Sequence, residues 1–328
     1  MTTTIETPPP TRNDIEQWRE VAEWKERALG EDTSLVAELR HGLSGAQAMV
    51  VAGLRAIPGV PQIDDSIHLV LHQLAAAGAG AGANTVRREA VFARFRAHGH
   101  DVTGFKDIRA LEVGEVQAVL PRLDVGYVAF AGVQGGVTSL LTSSGAAAVA
   151  GGTGAAGVGG VPGVAVIVAA LAGDAVLTVA ACTRAVAHVA AYYGYDVTKR
   201  SEHVLALAVL AVGLSSEADA YEEVASLIRS RAQDKERKKR QQRQLQRLAR
   251  AVHQRLLAQI GQRELAQLLP VVGIGIGAVL SARLLAHVVD SAEHLYRERF
   301  LHDKHGIPFG TALPEDAVVT ALPDAHLL

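Results

Sequence analysis

Three observations predict an all-α protein, a multi-helix bundle around a Gly/Ala-rich apolar helical hairpin. No run shows the strict polar/apolar alternation that a half-buried strand needs. Alanine is abundant and aromatic residues make up only 4% of the chain, a composition that favours closely packed helices. Val125 to Gly173 is 49 consecutive residues without a charged side chain, built mostly of Gly, Ala, Val, Ser and Thr.

Within that uncharged stretch, Gly145 to Gly160 holds seven glycines in sixteen residues, each costing roughly 1 kcal/mol relative to alanine inside a helix. Such a segment forms a helix only where packing offsets that cost. Ala148, Gly152, Ala156 and Gly160 supply the means, since small residues four apart let two helix backbones approach closely. After Pro162, Gly163 to Cys182 is apolar apart from Asp174, giving a second arm of the hairpin. At about 1.5 Å per residue this arm is long enough for a hydrocarbon core of about 30 Å. Asp174 near its middle opposes insertion by about 2.5–3.5 kcal/mol. A hairpin buried in a water-soluble bundle is therefore preferred over one embedded in lipid.

The chain of 328 residues allows one or two domains at about 150 residues each. Four segments are expected: a disordered lead at 1–12, an N-terminal helical segment at 13–84, a helical domain at 85–303 and an irregular tail at 304–328. A formal net charge of -2 argues against nucleic acid or an acidic substrate as a partner of the chain as a whole. Cys182 is the only cysteine, which excludes an intramolecular disulfide and fits a reducing, cytoplasmic setting. The polar, Pro-rich start lacks the basic and apolar regions of a signal peptide.

Taken in order, Asp14 opens a helix carrying Ile15, Trp18, Val21, Ala22 and Trp24 and stopping at Gly30. Its tryptophans are read as anchors to the body, with an interfacial membrane anchor as the alternative. Helices over 34–57 and 64–77 follow, split by the turn from Pro58 to Pro61. His68 and His72 have metal-ligand spacing, but no third ligand stands at a fixed offset, so a polar helix face is preferred and no metal is assigned. Asn84 to His98 is expected as a basic helix, with His98, His100 and Asp101 in a solvated loop, and Asp107 to Leu120 as a short helix ended by Pro121.

After the hairpin, Tyr192-Tyr193-Gly194-Tyr195-Asp196 closes a helix: Gly194 suits the left-handed position past its end, and Asp196 can cap the next helix. A headgroup boundary is the alternative place for these tyrosines. Ser216 opens a long helix, acidic early and basic late, the sense that complements the helix dipole. From Arg229 to Arg250 the ten basic residues Arg229, Arg231, Lys235, Arg237, Lys238, Lys239, Arg240, Arg243, Arg247 and Arg250 face only Asp234 and Glu236. A solvated face is the plain reading of such a run; anionic lipid headgroups or nucleic-acid phosphates are the functional ones. Leu265 to Ala282 is a second uncharged segment, able to partner the hairpin. Beyond it Arg283, His287, Asp290, His294 and Arg297 share one helical face, expected to meet solvent or, as the alternative, to form a buried polar seam with Asp174. His302 and His305 are expected at the surface.

Catalytic motifs are scarce. Gly152 to Gly157 spells GTGAAG, formally a dinucleotide fingerprint, but alanines rather than a β-branched strand precede it and more glycines follow. The sequence has no Walker A loop, no HExxH, no GxSxG elbow and no paired cysteine ligands. No cofactor and no small-molecule substrate is implied.

The uncharged region leading through Gly173-Asp174, the YGYD of Tyr193 to Asp196, the LPVVG of Leu269 to Gly273 and the closing Ala292-Glu293-His294-Leu295-Tyr296-Arg297-Glu298-Arg299-Phe300-Leu301 together resemble the EcsC protein family over roughly residues 85–303. That resemblance implies a bacterial, mainly helical protein and no particular reaction. The strong basic helix and the Pro-rich ends depart from the family's usual pattern. The expected function is non-enzymatic: a cytoplasmic helical module that associates peripherally with the inner face of the membrane, or with a protein partner, through its basic helix and apolar hairpin. Nucleic-acid binding by the same helix, and an enzyme with a polar pocket around Asp174 and the Arg283 to Arg297 stripe, are the alternatives.

Overall fold

The computed structural model of the protein describes residues 9–29, 85–123, 125–127, 180–215, 218–230, 273–307 and 309–310. Among these, the regular structure is helical and no strand occurs. Besides a short helical stretch at 123 and 125–127, the helices are α1 (Arg12–Leu29), α2 (Arg88–Ala97), α3 (Phe105–Ala110), α4 (Val113–Val119), α5 (180–192), α6 (Arg200–Ser215), α7 (Ala218–Ser230) and α8 (Gly273–His305). The hairpin with Ala148, Gly152, Ala156 and Gly160, the residue Asp174, the expected helices at 34–57 and 64–77 with His68 and His72, and the basic residues beyond Arg229 lie outside the described residues.

The described core is organised on α8, whose 33 residues run about 50 Å. It packs on α6, α1, α3 and α4, while α7 packs on α6 and α4 on α1. Residues Leu295 to Leu301 of α8 are all buried, so this length of helix is enclosed on every side. Helix α6 behaves alike from Val204 to Val212, and Gly213 lets it come very close to α8: a Cβ there would lie 2.9 Å from Val288 Cα.

Helix α1 starts with a capping box. Thr11 Oγ1 accepts from Asp14 N at 3.2 Å, and Asp14 Oδ2 accepts from Thr11 N at 2.9 Å and from its hydroxyl at 2.7 Å. Ile15, Trp18, Val21, Trp24 and Ala28 then bury one stripe, which bears out the tryptophans as anchors to the body. The expected helix from Asp107 to Leu120 is instead two, because the chain turns extended at Leu111 and Glu112. Asp107 Oδ2 accepts from Gly104 N at 2.9 Å and Glu115 Oε2 from Glu112 N at 2.8 Å, so each short helix has its own N-terminal carboxylate. Helix α6 begins at Arg200, three residues later than expected, after Asp196 Oδ1 has accepted from Thr198 N at 3.2 Å in a turn.

Candidate functional site

The polar chemistry of the described residues concentrates on three successive charged residues of α8, Arg297, Glu298 and Arg299. At about 100° per residue, neighbours on a helix cannot share a face. Each of the three therefore reaches its own set of partners, Arg297 and Glu298 sharing only α1.

Arg297 faces α1, α4 and the end of α5. Its Nη1 donates to Glu20 Oε2 at 3.0 Å and its Nε to Tyr193 Oη at 3.5 Å. The Gln117 amide is satisfied with its oxygen toward Arg297, accepting from Nε and Nη2 at 3.0 Å each. Burial pushes the Tyr193 phenol up from its ordinary pKa, with Arg297 opposing, and so keeps it protonated.

Glu298 faces α1 and α7, and its side chain is fully buried. Oε1 accepts from Lys25 Nζ at 2.8 Å, from Tyr221 Oη at 2.9 Å and from Gly310 N at 3.1 Å. Burial, then the adjacent Glu298 carboxylate, pushes the Tyr221 phenol far up.

Arg299 faces α6. Its Nη1 and Nη2 donate to the two oxygens of Glu202 at 2.6 and 3.0 Å, the bidentate arrangement a planar guanidinium favours. The guanidinium carbon lies 3.6 Å from the centroid of Tyr195, whose hydroxyl donates to Asp303 Oδ2 at 2.9 Å.

Tyr193 and Tyr195 are positioned by the turn between α5 and α6. Gly194 N donates to Ala191 O at 3.1 Å and Tyr195 N to Ala190 O at 2.8 Å, the paired bonds of a Schellman C-cap. Gly194 has a φ of 81°, as expected for a left-handed cap, and a Cβ there would meet Phe105 O at 2.7 Å. Both tyrosines are buried in protein, so neither stands at a headgroup boundary. The YGYD segment and the closing stretch of α8 are thus two halves of one packed polar layer.

The polar stripe of α8 differs from its expectation. Arg283 and Asp290 are exposed and His287 is half-buried, but the C-terminal part lies against α1 rather than in solvent. Asp290 Oδ2 accepts from Trp24 Nε1 at 2.6 Å, the His294 ring stacks on Trp24 at 4.7 Å, and Arg297 is buried. Burial lowers the pKa of His287 and His294, so both favour the neutral form. His305, expected at the surface, is buried with Nε2 3.1 Å from Asp14 Oδ2. A helix-end histidine reads as solvated in sequence, whereas here α1 docks against it through Asp14. His98 is exposed and His100 half-buried, beside an exposed Asp101.

Arg229 is the one residue of the basic run that the structure describes. It is half-exposed, donating to Glu222 Oε2 at 3.2 Å and to Phe309 O at 3.4 Å. Near the start of the uncharged stretch, His188 packs by Tyr127, and burial followed by the Arg184 charge depresses its pKa to about 4.

Around α8 the buried charges are matched across helix interfaces, Lys25 with Glu298, Glu20 with Arg297 and Glu202 with Arg299. Among the described residues no group of three or more His, Cys, Asp or Glu side chains is placed to hold a metal ion, and no helix is long and apolar enough to cross a membrane. Such a layer ties α1, α6 and α7 to α8.

The model of the EcsC protein family matches residues 15–301. The chain belongs to the EcsC protein family. The match begins within α1 and ends in α8, so it takes in the helix that carries Trp18 and Trp24, ahead of the region in which the resemblance was recognised from sequence motifs. No curated protein and no solved structure matches the chain. Two EcsC-like motifs, YGYD and the HLYRERF of α8, meet in the polar layer. Lys25, Glu202 and Tyr221 complete it, and periodicity gave no sign of them. The signal was the run of three charges flanked by Leu295, Tyr296, Phe300 and Leu301, which leaves no side of the helix free for water.

Proposed function

We propose that this protein works by contact: a helical body holds a basic segment and a small-residue hairpin ready to associate peripherally with an anionic membrane surface at the cytoplasmic side. The observation that carries this reading is the density of the run after α7. From Arg231 to Arg250 it offers nine basic residues, Arg231, Lys235, Arg237, Lys238, Lys239, Arg240, Arg243, Arg247 and Arg250, against Asp234 and Glu236. The matching of buried charges around α8 supports the same reading, because pairs of this kind tie helices together. At roughly 1 kcal/mol per basic residue near anionic lipid, half of the run in contact supplies about 4–5 kcal/mol, close to millimolar binding alone. Tighter association therefore requires apolar contact from the hairpin as well.

Flotation with anionic and with neutral vesicles at low salt tests this. Recovery with anionic vesicles only is expected. Equal failure with both, or a salt-sensitive shift of nucleic acid without lipid binding, rejects it.

A further inference from the structure

Several helix ends meet at the C-terminal end of α8. Arg299 donates to Glu202 in the first turn of α6 at 2.6 and 3.0 Å, whereas Gly213 near the end of α6 lies against Val288. Helix α6 therefore runs antiparallel to α8 and starts beside its last turns. In the last turn of α7, Arg229 donates to Phe309 O at 3.4 Å, just beyond α8. Lys304 Nζ donates to Leu111 O at 3.0 Å and Arg109 Nη1 to Gly194 O at 2.9 Å, which brings α3 to the same end. Arg88 ties on the start of α2: its Nη2 is 3.2 Å from Asp196 Oδ1, and its guanidinium carbon is 6.0 Å from the Phe105 ring centroid.

Around Arg88 the cations are free and the carboxylates are occupied. Arg87 precedes it, Lys106 follows Phe105, and Lys199 and Arg200 follow Thr198, to which Arg88 donates. All four are exposed, and none is ion-paired with another described residue. The neighbouring acids are engaged: Glu89 by Arg96, Asp107 by the Thr103 and Gly104 amides, Asp196 by Arg88 and Thr198, and Glu202 by Arg299. Unpaired like charges gathered on one patch repel one another, a cost that an external anionic surface relieves.

We propose that this end of the bundle is the face the body turns to an anionic membrane, with Arg87, Lys106, Lys199 and Arg200 as headgroup contacts beside the basic run. The proposal rests on the membrane reading above and adds an orientation to it. Helix α7 ends here, and the run begins at the next residue, Arg231, so both cationic features address one surface. The four cations come from the ends of three helices rather than along one, which suits a plane of headgroups better than a nucleic-acid groove.

The test partitions the full-length chain onto vesicles of mixed anionic and neutral lipid at low salt, beside a variant with Arg87, Lys106, Lys199 and Arg200 changed to Gln. Each basic residue near such a surface contributes about fivefold, so two or more in contact predict a loss of at least about twentyfold. Orientation is read from a fluorescent label at Lys199→Cys or at Arg283→Cys, the second about 24 Å back along α8 from Arg299. Cys182 is fully buried and stays in place. Headgroup-quencher lipid is expected to quench the first label at least about threefold more than the second. Wild-type binding that the four substitutions leave unchanged, whether or not they abolish a duplex-DNA shift, overturns the orientation while the membrane reading stands; so does equal quenching at the two positions. If wild type binds no vesicles at low salt, the membrane reading fails and the orientation with it. Should the fourfold variant not fold, the quenching pair alone decides.

Discussion

Arg299→Met asks whether the charges of the α8 layer hold the helices together. The side chains of Arg299 and Glu202 are 5% and 14% exposed, with bonds of 2.6 and 3.0 Å, so removal of the guanidinium leaves a largely buried carboxylate without its bidentate partner. Breaking such a pair costs about 3–5 kcal/mol, and the desolvated contact with Tyr195 adds up to about 2 kcal/mol. Methionine refills part of the aliphatic space, so a net loss of about 3–4 kcal/mol is expected. Glu202→Leu leaves Arg299 beside Asp303, whose Oδ2 is 3.6 Å from Nε, and is expected to be milder at about 2–3 kcal/mol. The double variant removes both charges and is expected to lose no more than about 2 kcal/mol, giving a coupling of at least about 3 kcal/mol. Urea unfolding followed by far-UV circular dichroism measures all three. Single losses below about 1 kcal/mol that simply add would mean the pair behaves like an exposed one, and the structural role of the layer would be refuted.

Gly213→Ala sets two effects against each other: helix propensity favours alanine by about 1 kcal/mol, but the new Cβ lies 2.9 Å from Val288 Cα, and backbone does not yield as a side-chain tip does. A lower melting temperature is expected; a rise would mean that α6 and α8 are not so close. Gly194→Ala joins a left-handed φ of 81° to a contact of 2.7 Å with Phe105 O, so a loss of about 3 kcal/mol is expected in the same unfolding assay. Asp14 titrates at about 2: burial opposes its ionisation, but hydrogen bonds from His305 and Thr11 outweigh burial. A depressed folded pKa gives stability that is present above the ordinary value of 3.8 and lost as pH falls toward about 2, a contribution of about 2 kcal/mol. Asp14→Asn is therefore expected to be less stable than wild type at neutral pH, with the gap closing between about pH 4 and 2; a pH-independent gap would contradict that linkage.

Helix class was legible wherever apolar spacing and caps agreed, as in α1, where Trp18 and Trp24 mark the buried stripe and Asp14 the start. The division of α3 from α4 was not, because no Gly or Pro separates Ala110 from Val113. The boundary is written in Asp107 and Glu115, each the N-terminal carboxylate of its own short helix. Gly194 was readable because only a left-handed cap explains a glycine between aromatic residues at a helix end. The buried layer was legible only as a family motif. Periodicity assigns charged residues to water, and the covering of α8 arises from α1, α3, α4 and α6, with Tyr221 of α7, all remote in sequence. Arg229 shows the same limit in reverse: counted with the basic run, it is partly held by Glu222 and Phe309.

The membrane reading is tested most directly by the salt-dependent partitioning of the full-length chain onto anionic vesicles, beside a variant with Arg231, Lys235, Arg237, Lys238, Lys239, Arg240, Arg243, Arg247 and Arg250 changed to Gln. Arg229 is kept because it helps hold α7. Wild type is expected to bind, to weaken steeply as salt rises, and to lose at least about a hundredfold in affinity on neutralisation, with unfolding of the body unchanged. Equal partitioning of the two proteins, or none by either at low salt, would contradict the account.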